Sequence, residues 1–450
     1  MKKTLRELAT WLGADAKEFG DVIVTGASLN TRTLQPGELF IPFRGEQVNG
    51  HKFVEQAFEQ GASAALWLKD EPNPPTDRPL LFVEDSAKAL QTLAAAYRQE
   101  LKATFWYIVG AGIIGVVMLI EPETYKKMAW FIYGIGLVPL IILFILPETL
   151  SFVEARNGAQ SWFHLPGIGS IQPAEFMKTF YILGAAKLIV KHHENYPFKT
   201  SKSDFLLLLK IGGLFIIPFA FIMLQPDLGT GLVFIAITVA LIVVAGITWK
   251  IILPILGAGI GIGGALIWMA LNMQDFIVNT LGFSPYQLAR IYSWLDPYSY
   301  ASNEGMHLIS SLNAIGSGEI FGKGYGGREV YVPENHTDFI FAVIGEEYGF
   351  IGASLVIVLY FVLIYHLTKI TLQLKDPFST YVAAGIIAMI TFHVFENIGM
   401  TIQLLPITGI PLPFISYGGS SLMGNMLALG LIFSMKFHHK TYMFGNQDDD

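Results

Sequence analysis

The chain has 450 residues, 52% of them hydrophobic and 14% charged, with a mean hydropathy of +0.49, whereas soluble globular chains carry roughly 25% charged residues. That balance describes a membrane protein. The net charge of -7 is modest and no basic stripe stands out, so nothing points to nucleic acid as a partner; with no cysteine, disulfides, thiolate metal sites and cysteine nucleophiles are excluded.

Met1 to Gly13 has the spacing of an amphipathic helix (Leu5, Leu8, Ala9, Leu12) but no apolar core of signal-peptide length. From Asp21 to Asp85, short apolar runs alternate with polar turns, the pattern of a compact α/β fold. Strands are expected at Val22 to Val24, Leu39 to Pro42, Ala64 to Leu68 and Leu80 to Val83, and a helix at Phe53 to Glu59 ended by Gly61. Glu71 to Pro79 is a proline-rich loop, and Ser86 to Gln99 reads as a helix with Ser86 as its N-cap.

Asn30-Thr31-Arg32, Pro36-Gly37-Glu38-Leu39-Phe40, Gly45-Glu46, Asn49-Gly50-His51-Lys52-Phe53 and Gly61-Ala62 resemble the N-terminal domain of Mur ligases of the MurF type, over about residues 1–104. The resemblance implies a domain that holds the UDP end of a UDP-muramyl-peptide. In that family the next strand runs into a glycine-rich phosphate loop ending Gly-Lys-Thr. Here Ala103-Thr104-Phe105 continues into Trp106-Tyr107-Ile108-Val109-Gly110, and no such loop occurs anywhere in the chain. The domain is therefore read as a truncated remnant without ligase chemistry.

From Phe105 onward, apolar stretches approach or reach the roughly 20 residues that a membrane helix needs. Nine spans are expected, near 105–121, 128–147, 174–191, 205–224, 228–248, 250–271, 338–367, 379–403 and 412–436. Lys126, Lys127, Lys191, Lys199, Lys202, Lys250, Lys369, Lys375, Lys436 and Lys440 fall on alternate loops, which the positive-inside rule makes cytoplasmic, together with an acidic tail at 441–450. Loops 148–173, 225–227, 272–337 and 404–411 then face outside, and Asp338 stands at the outer surface. Nine spans would place residues 1–104 outside. The first span is only about 24 Å long at 1.5 Å per residue, and we expect it to lie at the inner interface instead, which leaves that domain inside.

The run Leu405 to Ser421, with Pro406, Gly409, Pro411, Pro413, Gly418 and Gly419, cannot be one regular helix, and irregular backbone at membrane depth belongs where it lines a cavity. This run resembles the signature of the SEDS (shape, elongation, division and sporulation) family of peptidoglycan polymerases. Four further motifs match the family in the same order: Gln172 to Lys178, Gln225 to Thr230, Ala314 to Gly318, and Pro333-Glu334-Asn335-His336-Thr337-Asp338-Phe339. Asn397-Ile398-Gly399-Met400 and Thr408 to Pro413 resemble the rod-elongation (RodA) branch more than the division branch. The resemblance covers about 105–440 and implies a mainly α, polytopic helix bundle in the bacterial plasma membrane. It departs from the family in lacking the first helix, which implies activity below that of an intact relative.

The resemblance implies an enzyme that joins lipid II into undecaprenyl-pyrophosphate-linked glycan strands during elongation, with a class B penicillin-binding protein and the elongation machinery as partners. Asp338 matches the family's essential aspartate, as general base or as ligand of a divalent cation, magnesium or manganese; an N-cap role suits its position too. Arg290 and Lys323 match family positions and could hold the leaving pyrophosphate. Glu175 and Lys178 share one helix face. His336 and Glu334 flank the aspartate and could orient it, and Ser416 and Ser420 lie in the glycine-rich run as candidate substrate contacts. His393, Glu396 and Asn397 read as an interhelical hydrogen-bond set. Rival readings are a lipid II transporter, which should show paired broken helices, and an inactive hybrid of the two domains.

Because the phosphate loop is absent, calorimetric titration of the purified chain with ATP should give no saturable heat; a saturable isotherm would show that the junction near Thr104 has been misread.

Overall fold

The computed structural model describes residues 2–14, 16–44, 49–146, 152–156, 159–165, 169–280, 285–300 and 304–442. It divides into two compact units, Met1–Thr104 with Lys323–Glu329, and Phe105–Gly322 with Val330–Asp450. Gly45, Glu46 and most of the expected acidic tail lie outside the described residues.

The first unit contains β1 (Lys3–Thr4), α1 (Leu5–Leu12), β2 (Ile23–Val24), β3 (Gly26–Ser28), β4 (Glu38–Phe40), α2 (Val54–Glu59), β5 (Ala64–Leu68) and β6 (Leu80–Val83). α1 starts where the Thr4 and Glu7 side chains cap each other's backbone N–H groups reciprocally. The short β1 pairs antiparallel with β2, while β3-β4-β5-β6 form a parallel sheet in sequence order. Because side chains alternate across a strand, Leu39, Leu66 and Leu68 pack with Leu5 and Leu8 of α1 on one face. Phe40, Ala65 and Trp67 pack with Val54 and Ala57 of α2 on the other. The expected strands at 64–68 and 80–83 coincide with β5 and β6. β1 and β3, two and three residues long, are too short to leave a pattern.

Two local expectations are corrected at the junction. The carboxylate of Asp85, not the Ser86 hydroxyl, caps the next helix, accepting from Ala87 N at 2.6 Å and Lys88 N at 3.1 Å. That helix, α3 (Ser86–Met118), also does not end at Gln99. Gln99-Glu100-Leu101-Lys102-Ala103 contains good helix formers and no glycine or proline, so nothing in the sequence stops it there.

The second unit is built from helices: α4 (Pro122–Ile145), α5 (Pro173–Asn195), α6 (Ser201–Leu224), α7 (Leu228–Val244), α8 (Trp249–Asn272), α9 (Gln274–Asn279), α10 (Pro285–Leu295), α11 (Glu304–Ser317), α12 (Ile340–Gln373), α13 (Pro377–Thr401) and α14 (Gly419–Tyr442). An antiparallel sheet, β7 (Val153–Arg156), β8 (Ala159–Leu165) and β9 (Gly169–Ile171), occupies the expected outer loop 148–173. Each of the nine apolar stretches falls on a helix. Among the described residues, six helices are long and apolar enough to cross a membrane, whereas Ala103–Met118 and α7 are apolar but shorter. α5 is long but carries Glu175, Lys178, Lys187 and Lys191.

α5 tolerates Glu175 and Lys178 because that part of it sits in the core rather than against lipid. Met177, Tyr181, Ile182, Ala185 and Ile189 are buried with Phe234 and Ile237 of α7 and Ile386 and Ile390 of α13. The last span, expected from 412, becomes helical only at Gly419, after the Pro411 and Pro413 breaks.

α12 is two helices joined at Gly349, whose φ of 65° and ψ of -162° belong to a region open essentially to glycine alone. The turn after α11 fills the break: Phe350 N donates to Glu319 O at 2.9 Å and Ile351 N to Ile320 O at 3.2 Å. A Cβ on Gly349 would run into the backbone of Ile320 and Gly322. Gly349→Ala should therefore cost at least about 1–3 kcal/mol from backbone strain alone. Gly212→Ala, in open space on α6, should leave stability in place. Thermal unfolding in detergent, with equal melting temperatures for the two variants as the contrary outcome, checks this.

Candidate functional site

The site is organised around the segment between α11 and α12. Here Glu334 adopts a φ of 50°, and its carbonyl accepts from Thr337 N at 3.1 Å and Phe339 N at 3.3 Å, coiling the backbone into a tight turn. Val332 and Phe339 anchor the turn in a small apolar cluster with Leu308, Ala314, Ala342, Met400 and Ile407. Asp338 stands half-buried just before the first turn of α12.

Three successive carbonyls of this turn are each taken by a donor from α13 or the segment that follows it. Tyr417 N donates to His336 O at 2.8 Å, Ser416 Oγ to Thr337 O at 2.6 Å, and Asn397 Nδ2 to Asp338 O at 2.7 Å. The second hydrogen of Asn397 Nδ2 goes to Ile410 O at 2.8 Å, and Leu412 N donates to Ser416 Oγ at 2.7 Å. The irregular run 405–418 and the Asp338 turn are thus laced together through their backbones.

The Asp338 carboxylate reaches Gly409, which adopts a φ of +76°; a Cβ there would stand 3.2 Å from Asp338 Oδ2 and 3.9 Å from Arg290 Nη2. Arg290, on α10, donates from Nη1 to Thr408 O at 3.2 Å. Asp338 is pushed up to about 7, first by loss of water around it and then by the like charge of Glu334; the Arg290 guanidinium pulls the other way, and Asp227 adds further repulsion.

Asp227 N-caps α7, accepting from Thr230 N at 3.0 Å and Thr230 Oγ1 at 2.8 Å, and from Gln172 Nε2 at 2.7 Å. Burial holds its carboxyl above the usual range, against the bonds from Thr230. α7 also comes close to the same loop: a Cβ on Gly229 would lie 2.9 Å from Thr408 O.

The other sequence candidates fall in different places. Glu175 and Lys178 form an ion pair of 2.9 Å, 5% and 2% exposed, and Lys178 Nζ donates to His393 Nε2 at 3.0 Å. This puts His393 in a polar cluster that bridges α5 and α13. Ser420 Oγ accepts from Gln172 N at 3.0 Å and donates to Ser170 O at 3.3 Å, so it ties α14 to the start of α5. Ser416 and Ser420 thus both engage backbone. Glu334 and the His336 side chain are exposed. Glu346 is fully buried and accepts from Val330 N at 3.0 Å. Lys323 pairs with Glu329 at 2.7 Å in the segment Lys323–Glu329, which, with Arg328, belongs to the first unit.

Sequence reasoning named Gly409 as a helix breaker and Asp227 within a family motif without giving either a place in the site, and it read Asn397 as part of an interhelical set and of a family motif. The glycine and proline spacing of 405–419 signalled irregular backbone without telling which residue meets the carboxylate. Among the described residues no three His, Asp or Glu side chains gather to hold a metal. A hydrated magnesium ion takes one or two carboxylates, which Asp338 with Glu334 could supply.

Gly409→Ala should lower stability by about 1–2 kcal/mol, the cost of a left-handed backbone with a side chain, and crowd the carboxylate. A melting temperature unchanged from the parent protein would contradict this close approach.

Comparison with known proteins gives the arrangement its relatives. A family model described as "Cell cycle protein" (FtsW/RodA/SpoVE) matches residues 80–441, and one described as "Mur ligase family, catalytic domain" matches residues 23–98. The chain is 35% identical over 331 residues to stage V sporulation protein E of Bacillus subtilis (strain 168), covering 72% of this chain and 84% of that protein. It is 34% identical over 359 residues to the probable peptidoglycan glycosyltransferase FtsW of the same organism, covering 77% and 85%. A solved structure described as "Structural coordination of polymerization and crosslinking by a peptidoglycan synthase complex" shares the fold with a TM-score of 0.62 at 24% identity, over 77% of this chain and 91% of that one. With the match running through more than half of its length, the chain belongs to the FtsW/RodA/SpoVE (SEDS) family, with a Mur-ligase-like segment ahead of its membrane helices.

Proposed function

We propose that the protein is a peptidoglycan glycosyltransferase of the plasma membrane that polymerises lipid II, with Asp338 as its general base. The observation that carries this is the Asp338 carboxylate itself: half-buried, on a backbone whose carbonyl accepts from Asn397, next to Gly409 and under the opposing influences of Glu334 and Arg290. The names of relatives at 34–35% identity support the reaction class.

In this reading the acceptor sugar hydroxyl attacks the anomeric carbon of the growing strand and gives its proton to Asp338 as the new carbon–oxygen bond forms. The bond from that carbon to the lipid pyrophosphate breaks, and the leaving group carries away the electron pair. A carboxylate with a pKa near 7 suits the task, because near neutral pH about half of it is ionised and that form is basic enough to take a proton, a contribution of roughly 10²- to 10⁴-fold. Arg290 is the cation on hand for the departing pyrophosphate, and the bond from its guanidinium to Thr408 O aims it at the site. The alternative role for Asp338 is as a ligand: with Glu334 it would hold a divalent cation whose charge would assist the same departure, and it would then no longer serve as the base, because a bound cation lowers the pKa of a carboxyl.

An elongation role rests on the wording of Asn397 to Met400 and Thr408 to Pro413, since stage V sporulation protein E and FtsW carry sporulation and division names. The partner proposed is a class B penicillin-binding protein, in keeping with the coordinated polymerisation and crosslinking described for the structural neighbour.

Asp338→Asn keeps shape and removes the base, so polymerisation of lipid II by the reconstituted protein should fall by about 10²-fold or more with the melting temperature retained. Only the ionised form can accept the proton. Activity should therefore rise with pH, pass its midpoint near 7, and be lost on the acid side. Glu334→Gln should move the midpoint down and Arg290→Ala should move it up. Parent-level polymer from Asp338→Asn would sink the assignment, as would a rate independent of pH on both sides of 7.

A further inference from the structure

We infer that Asn397 is a positioning residue for the reaction: its side-chain amide sets the separation between the turn that carries Asp338 and the Thr408–Ile410 wall facing it. The inference rests on the assignment of Asp338 as the base.

Asn397 is fully buried, and one atom, Nδ2, donates both its hydrogens: to Asp338 O at 2.7 Å and to Ile410 O at 2.8 Å. Two carbonyl oxygens on the same side chain fix which way the amide faces, because only its NH₂ group can serve both. The two acceptors are not neighbours in sequence and not parts of one element. Asp338 O belongs to the residue whose carboxylate is the base, so holding that carbonyl constrains the backbone from which the carboxylate projects. Ile410 O follows Gly409, against which the carboxylate rests, and Thr408, whose carbonyl takes the Arg290 guanidinium. One amide therefore spaces base, wall and cation together.

The choice of residue supports this role. Among the described residues Asn397 Oδ1 has no hydrogen-bond partner, and an unsatisfied buried acceptor is costly. A residue kept for helix packing would be better served by leucine, of similar bulk and no polar atoms. What asparagine supplies here, and leucine or aspartate does not, is two donors on one short arm. The arm is also rigid: Ile386, Met389 and Ile390 seat α13 in the main core, and Met400, one turn beyond Asn397, lies in the cluster that holds Phe339.

The test uses the full chain reconstituted in lipid, with lipid II as substrate. It compares Asn397→Leu and Asn397→Ser against the parent for kcat, KM, the pH midpoint of the rate and the melting temperature. A misplacement near 1 Å is enough to cost about 10²-fold, so Asn397→Leu should lose kcat on that order with little change in KM, and its pH midpoint should move. Asn397→Ser, smaller and with a single donor, should fall between, and it stands in if the leucine variant does not fold. A merely structural role predicts something else: activity lost in proportion to the unfolded fraction, with the parent pH midpoint in the molecules that remain. That result, or full activity in both variants, would overturn the inference. Asp338→Asn in the same assay separates the two levels. If it is inactive while both Asn397 variants match the parent, only the positioning role fails; if it is fully active, the base assignment fails and this inference falls with it.

Discussion

The constraint on which the site depends is that three consecutive peptide carbonyls, those of His336, Thr337 and Asp338, are all hydrogen-bonded outside their own segment. Here Tyr417, Ser416 and Asn397 take them, and two of these donors are themselves fixed: Ser416 Oγ accepts from Leu412 N, and Asn397 also holds Ile410 O. The turn has little freedom left. That explains how a short irregular segment can carry a carboxylate at a defined place, since a base placed on a loop is only as well aimed as the contacts that hold the loop.

The second feature is the balance of charge around that carboxylate. Loss of water and the like charges of Glu334 and Asp227 favour the protonated acid; Arg290 favours the ion. A cation that dominated this balance would hold the carboxyl far below neutrality and make it a poor base. The guanidinium bonds to the Thr408 carbonyl, and its pull on Asp338 is outweighed by burial, so the group stays near 7. The left-handed glycine matters for this geometry, because a side chain there would crowd the carboxylate.

Much of the architecture was legible in the sequence because hydrophobic length and period are physical requirements of burial and of lipid. The nine apolar stretches fall on helices, and the run 405–418 is irregular because its prolines and glycines forbid anything else. β5 and β6 follow from apolar runs bounded by turns. Elements with no periodic signature were lost: β1 and β3 are two and three residues long, and β7–β9 lie in a polar loop. The junction differs from expectation because a helix continues wherever nothing stops it, so that α3 runs through Gln99. For the site, the family resemblance pointed to Asp338 and Arg290 and helix spacing to the Glu175–Lys178 pair, all charges that stand out in an apolar chain. Gly409 and Asn397 matter through their approach to groups distant in sequence, and no local pattern records that.

Asp227 shows how the helix beside the same loop is held. Its carboxylate caps α7 through Thr230 and takes the Gln172 amide, while Ser420 Oγ holds Gln172 N. α5, α7 and α14 are joined at that point, and Gly229 lets α7 come close enough for its first turn to touch Thr408 O. The Thr408–Ile410 wall is thus approached by Gly229 of α7, two residues from Asp227, and by Asp338, and is held by Asn397. A displacement of α7 or α13 would reach Asp338 through this wall, so the helices that carry no base still govern where the base stands.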